Sequence, residues 1–297
     1  MKKIISMFSA MIFALTLFCI PTSVSAKTTS SKNNVDLTKS ILNEFPDTPE
    51  INQLKNEIKN NAKSMQQSTY YCKIAETPSG TEIVQAYNNE ADYKTARKQE
   101  EDSQKSSRKK RSLPITQNFS WIQLKLECWG MGGRNFSACG SYKWLTVPAF
   151  TFNDVFTIGH DSNCTFDNQS SWGTFITPYM DNLGRSRQDT QILKPYNGGN
   201  FSASASGVGY KFKLKPGYDF GSKDPGNNQH QFGLMYVNGT VTNGSSTNLQ
   251  VSYGHSQIAL NFSASGAIQF KSNGSLNFTI AGTKDVVTTG DRYVIGK

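Results

Sequence analysis

From Ile258 to Phe270 the even positions carry Ile258, Leu260, Phe262, Ala264, Gly266, Ile268 and Phe270, while the odd ones are mostly polar, with Asn261, Ser263, Ser265 and Gln269 among them. After Asn273-Gly274 the alternation resumes in the same phase, Leu276, Phe278 and Ile280 against Ser275, Asn277 and Thr279. A repeat of two is the side-chain period of a strand, and Asn-Gly favours the turns that close tight hairpins. The segment therefore reads as a hairpin with one apolar face. Three more Asn-Gly pairs, Asn197-Gly198, Asn238-Gly239 and Asn243-Gly244, mark turns by the same reasoning. Strands are expected around 119–127, 142–146, 149–158, 172–177, 208–214, 231–237 and 249–253. Roughly nine or ten short strands with no helical stretch between them predict an antiparallel β-sandwich or barrel over residues 112–297.

The chemistry of the chain changes near residue 112. All four Trp and 23 of the 24 Gly lie in 112–297; residues 27–111 hold one Gly, one Phe and a high density of charge. The expected division is a signal peptide (1–26), an N-terminal region (27–111) and a β-rich domain (112–297). Thr48 suits an N-cap and Pro49 the first helical position, and Ile51, Leu54 and Ile58 share one face, so a helix is expected from Pro49 to about Met65. Tyr70–Ala75 and Thr81–Tyr87 read as short strands around the turn Thr77-Pro78-Ser79-Gly80. One helix and one hairpin make a small α+β unit that needs the β domain for stability. Residues 94–112 show no apolar face and read as a solvated linker. Their end, Arg108-Lys109-Lys110-Arg111, is an ordinary charged stretch or a processing site that releases a propeptide.

Met1-Lys2-Lys3, an apolar run from Ile4 to Ile20, and small residues up to Ala26 have the layout of a cleavable secretory signal. Lipid attachment at Cys19 is disfavoured by the bulky Phe18 before it. No later stretch is apolar enough to span a bilayer as a helix. The net charge of +9 is spread over both regions and fits an anionic cell surface or wall polymer better than nucleic acid, though it also simply aids solubility. Ten Asn-x-Ser/Thr sites reflect the Asn/Ser-rich composition of what looks like a bacterial chain. Four Cys outside the leader, an even number in an exported chain, predict two disulfides. Cys128 with Cys139 closes a Gly-rich loop, leaving Cys72 with Cys164. Zinc is disfavoured because there is no C-x-x-C pair.

Three His and, beyond residue 111, a single Glu (Glu127) leave little for acid–base chemistry. The densest polar cluster in sequence is His160-Asp161 with Asp154, Cys164 and Asp167. A Cys164–His160 nucleophile pair would need a free thiol. No motif calls for a metal or cofactor. Three functions follow. The first is a secreted binding protein for a glycan, wall polymer or protein, with Trp121, Trp129, Trp144 and Trp172 as stacking surfaces. The second is a pore-forming toxin or bacteriocin-like protein activated near Arg111, with the 258–280 hairpin meeting a membrane. The third is an extracellular hydrolase using Asp and His.

Overall fold

Thr48 leaves extended backbone with its hydroxyl accepting from the Ile51 amide at 3.2 Å, and Pro49 opens a helix in the one place where a missing N–H costs nothing. Helix α1 runs Pro49–Asn61 and buries Ile51, Leu54 and Ile58. Two 3₁₀ turns just before it, Leu37–Lys39 and Ile41–Glu44, bury Ile41 and Leu42. The computed structural model describes residues 35–77, 80–107, 118–148, 153–180, 183, 185–195, 200–214, 230–255, 268–270, 278–280 and 286–294. The leader with its cleavage residue Ala26, the basic run Arg108, Lys109, Lys110 and Arg111, and most of the 258–280 hairpin lie outside them.

The strands are β1 (Ser64–Thr77), β2 (Gly80–Tyr87), β3 (Asn118–Gly132), β4 (Asn135–Trp144), β5 (Asn153–His160), β6 (Cys164–Met180), β7 (Ser186–Leu193), β8 (Phe201–Ser204), β9 (Gly207–Lys213), β10 (Phe232–Val241), β11 (Ser246–Gly254), β12 (Ile268–Phe270), β13 (Phe278–Ile280) and β14 (Val286–Val294). Seven form one antiparallel sheet in the order β2-β1-β3-β4-β10-β6-β7, and five form a second in the order β14-β11-β5-β9-β8. The two sheets make the expected β-sandwich, preceded by a small helical region. β12 and β13 pair antiparallel, Ile268 opposite Ile280 and Phe270 opposite Phe278.

The inner face of the larger sheet meets the smaller sheet through Ile122, Leu124, Met235 and Val237, packed with Phe156, Ile158, Val251 and Tyr253. Tyr142 gathers this core, its ring 4.7 Å from Tyr253, 5.0 Å from Phe156 and 5.2 Å from Phe212. Alternate residues point to the outer face, where Trp129, Cys139, Trp172, Leu234 and Tyr236 are covered by Ile41, Leu42, Phe45 and the apolar side of α1. β1 lies between β2 and β3 and pairs with β3 at 13 positions, Ser64 opposite Gly130 through Glu76 opposite Asn118. The region before residue 112 thus supplies two strands and an outer layer to the sandwich.

Residues 90–107, expected to be part of a solvated linker, form helix α2 (Glu90–Ser107). Its surface is polar and carries the pairs Glu90–Lys94 and Arg97–Glu101, and it docks through two side chains. Tyr93 stacks on Tyr71 at 4.6 Å, and Glu100 accepts from Trp121 Nε1 at 3.0 Å and pairs with Lys73 at 2.8 Å.

The Asn-Gly expectations also change. Asn238-Gly239 sits inside β10, where the Phe136 ring lies over Gly239; an added Cβ would come within 2.4 Å of it. Asn243-Gly244 turns from β10 to β11, which belong to different sheets, with Gly244 at φ +67°. The Gly-rich stretch after Cys128 is itself a tight hairpin between β3 and β4, turning at Gly133 (φ +61°).

That geometry rules out the expected disulfides. Cys128 stands opposite Ala138 and belongs to the inner core, whereas Cys139, opposite Glu127, points to the outer layer. Cys72 on β1 and Cys164 on β6 are four strand steps apart, about 19 Å at ~4.8 Å per step, against the ~7 Å limit between Cα atoms of a bridged pair. All four side chains are buried, none in a disulfide.

Candidate functional site

β6 and β10 pair smoothly from Phe232 to Tyr236, where Tyr236 faces Trp172, and again from Asn238, which faces Asp167. Two residues on β10 thus span six on β6, and residues 168–171 bulge out of the ladder. Bulges of this kind re-aim side chains and recur beside functional sites. Local bonds hold this one open: the Ser170 and Ser171 hydroxyls donate to the Asp167 carbonyl at 3.2 and 3.0 Å, and the Gln169 amide donates to Asp167 Oδ1 at 3.1 Å.

α1 crosses beside the bulge, and a cleft of about 310 Å³ opens between them. Its floor is Trp172 and Tyr236, ring centroids 5.9 Å apart and tilted by 41°. Its walls are Glu50, Gln53 and Glu57 of α1 and Gln169, Ser170 and Lys194 opposite. Asn238 is pinned at the end of the floor: its Oδ1 accepts from Tyr236 Oη and from Ser137 Oγ, both at 2.6 Å, and its Nδ2 donates to Ser170 Oγ at 3.2 Å. Burial, with the nearby Glu57 charge adding to it, pushes the Tyr236 phenol up to about 12 against the bonds from Ser137 and Asn238, so it stays a neutral donor. A flat aromatic floor ringed by amides, hydroxyls and carboxylates suits a polar molecule with an apolar face.

Beside the cleft lies the only Glu beyond residue 111. Glu127 is fully buried on the outer face and accepts from Ser40 Oγ (2.7 Å), the Ile41 amide (2.7 Å) and Gln67 Nε2 (2.6 Å). It fastens the 3₁₀ segment to the sheet. Burial pushes its carboxyl up to about 7, although the bonds from Ser40 and Ile41 and the charge of Lys125 pull the other way.

The tryptophans expected to offer stacking surfaces have different fates. Trp121 lies beneath α2, Trp129 beneath the N-terminal layer, and Trp144 in the inner core donating to Tyr253 Oη at 2.9 Å; all three are at most 1% exposed and present no ring to solvent. Trp172, 9% exposed, lines the cleft.

The His160 cluster separates. Asp154 and His160 stand near opposite ends of β5, six residues and about 20 Å apart. His160 is buried with Nδ1 2.6 Å from the Asp161 carbonyl and its ring 4.3 Å from Phe166, and burial lowers its pKa. Burial pushes the Cys164 thiol up to about 12, which makes it a poor nucleophile. Asp161 spends its carboxylate on Asn163, Thr247 and Asn248, locking a loop.

Asp154 instead meets His255, 101 residues away, at 2.9 Å, and accepts from Tyr253. Sequence offered no sign of this pair. Both side chains are wholly enclosed, which makes them a cross-tie in the core. Among the described residues no group of three or more His, Cys, Asp or Glu is placed to hold a metal, and no helix is long and apolar enough to cross a membrane.

No protein-family model matches the sequence, and no curated protein matches it. Among solved structures, the chain is similar to the collagen binding subdomain of the Enterococcus faecalis surface protein ACE (7% identity, 54% of this chain and 86% of that one, TM-score 0.27). It is also similar to a pore forming protein (7%, 62% and 95%, 0.27) and to the Clostridium perfringens NetB toxin in its membrane inserted form (8%, 77% and 96%, 0.23). Likenesses this distant leave function to be argued from the residues.

Proposed function

We propose that this chain is an exported binding protein that takes a sugar in the cleft between α1 and the β6 bulge. The observation that carries the reading is the Trp172–Tyr236 floor at the bottom of a polar cleft. A pyranose ring has one apolar face and a rim of hydroxyls. The former lies on an aromatic floor, and the latter meets Gln53, Gln169, Ser170 and Asn238. Pinned bonds around Asn238 mean that little ordering is left to be done on binding. Removal of residues 1–26 on export places the sandwich outside the cell, where wall glycans are its natural partners.

Gln53 is exposed on α1 and lines the cleft, so Gln53→Trp fills the site without touching the core. Retention on insoluble cell-wall glycan should be lost while the melting temperature stays within a degree or two. Full retention by a folded Gln53→Trp protein removes the cleft as the site.

A further inference from the structure

The cleft does not end at Asn238. A second cavity of about 370 Å³ continues beyond it, and Glu57 and Asn238 line both. Its floor is again aromatic: Phe166, half-buried, stands edge-to-face on Phe136 with ring centroids 6.3 Å apart. Its wall is polar, with Thr165, Asp167 and Thr240, the last donating to Asn135 Oδ1 at 2.9 Å. Each cavity is at the small end of the range for ligand sites, and together they fall well inside it.

Electrostatics narrow the ligand. The chain as a whole is basic at +9, yet the joined groove carries three carboxylates, Glu50, Glu57 and Asp167, against one ammonium, Lys194. That lysine sits 3.5 Å from Glu50, at the end away from the second cavity. Glu57 faces the junction of the two cavities, where the backbone of a bound oligomer has to pass.

We propose that the two cavities form one groove for an oligosaccharide of at least two residues, with a protonated amino sugar at the junction against Glu57. This rests on the reading of the Trp172 cleft as a sugar site and specifies which sugar it takes. Two aromatic floors separated by a pinned amide repeat the same recognition twice, as an oligomer of like units requires. The carboxylate between them prefers a cationic unit over its acetylated, neutral counterpart.

Titration calorimetry of the full exported chain, using glucosamine, its β-1,4 tetramer and the N-acetylated tetramer, tests the proposal. The glucosamine tetramer should bind at least about tenfold tighter than both the monomer and the acetylated tetramer, and binding should weaken with added salt. Thr240→Trp, at an exposed position in the second cavity, should remove the advantage of tetramer over monomer. Glu57→Gln should remove the preference over the acetylated form. If Thr240→Trp lowers the melting temperature, Thr165→Trp fills the same cavity from another exposed position. Equal affinity for monomer and tetramer, or for the two tetramers, overturns the two-site amino-sugar groove while leaving the Trp172 sugar site standing. Failure of every sugar to bind, or binding that survives Gln53→Trp, overturns that underlying reading. Tetralysine binding as tightly as the glucosamine tetramer would make the groove a basic-peptide site and overturns the proposal too.

Discussion

The two faces of the seven-stranded sheet are closed by different means. The inner face meets a second sheet through rings and branched aliphatics, with Tyr142, Phe156, Phe212 and Tyr253 in mutual contact and fully or almost fully buried. The outer face is closed by residues from earlier in the chain, α1 and the 3₁₀ turns at one end and α2 at the other. That layer combines apolar side chains with individual polar fasteners, Glu127 under Ser40 and Ile41, and Glu100 under Trp121. A closed apolar layer provides stability. The polar-fastened layer leaves a cleft where helix and sheet do not meet, and the candidate site lies in that cleft.

Breaking the inner face should have the largest effect. Phe156→Ala is expected to cost about 3–5 kcal/mol and to unfold both sheets together, read as a shift of the urea midpoint. Ile58→Ala, on the outer face, should cost less, about 2–3 kcal/mol, and should act locally. Hydrogen exchange would then speed up for amides of residues 51–61 while those of β5 and β11 keep their protection. Equal loss in both layers would show that they do not differ in the way described.

Glu127 sharpens the comparison through pH. Its carboxyl is pushed up to about 7 in the folded chain from an ordinary 4.5, so the folded state holds the proton more tightly than the unfolded one. Its contribution is therefore most favourable below about pH 4.5 and is lost as pH rises through about 7. Glu127→Gln should remove this slope, so the variant gains on the wild type by on the order of 2–3 kcal/mol between pH 4.5 and 8. Burial lowers the pKa values of His160 and His230, which tilts stability the opposite way, and comparing the two proteins cancels that contribution. A pH-independent difference in melting temperature would contradict the assignment. The smallest effect belongs to Glu100→Gln, which weakens contacts to Lys73, Arg97 and Trp121 near the surface. It should cost under about 1 kcal/mol and show as faster proteolysis within residues 90–107.

What could be read from sequence follows the same division. α1 was legible because Thr48, Pro49 and the Ile51/Leu54/Ile58 spacing are local signals. The sandwich was legible because strand alternation is local as well. α2 was not, since its docking depends on Tyr93 and Glu100 meeting Tyr71 and Trp121, residues brought close only by the sheet. The cleft was invisible for a related reason: it exists because β6 bulges opposite β10 and α1 lies alongside, and register is not written in either strand. Trp172 was singled out for its residue type, but so were three tryptophans that the fold encloses. Cysteine parity misled because it counts residues without knowing which face of a sheet each occupies.

The account depends most on residues before 112 being part of the sandwich and one wall of its cleft, with no disulfide to hold them. A specific protease site placed between Arg111 and Ser112 tests this directly, with the cut protein run on gel filtration in native buffer with and without reductant. Pairing of β1 with β3 along 13 positions predicts that both fragments elute together at the intact size under either condition and separate only in denaturant. Fragments that come apart in native buffer, or only when reductant is added, would contradict it.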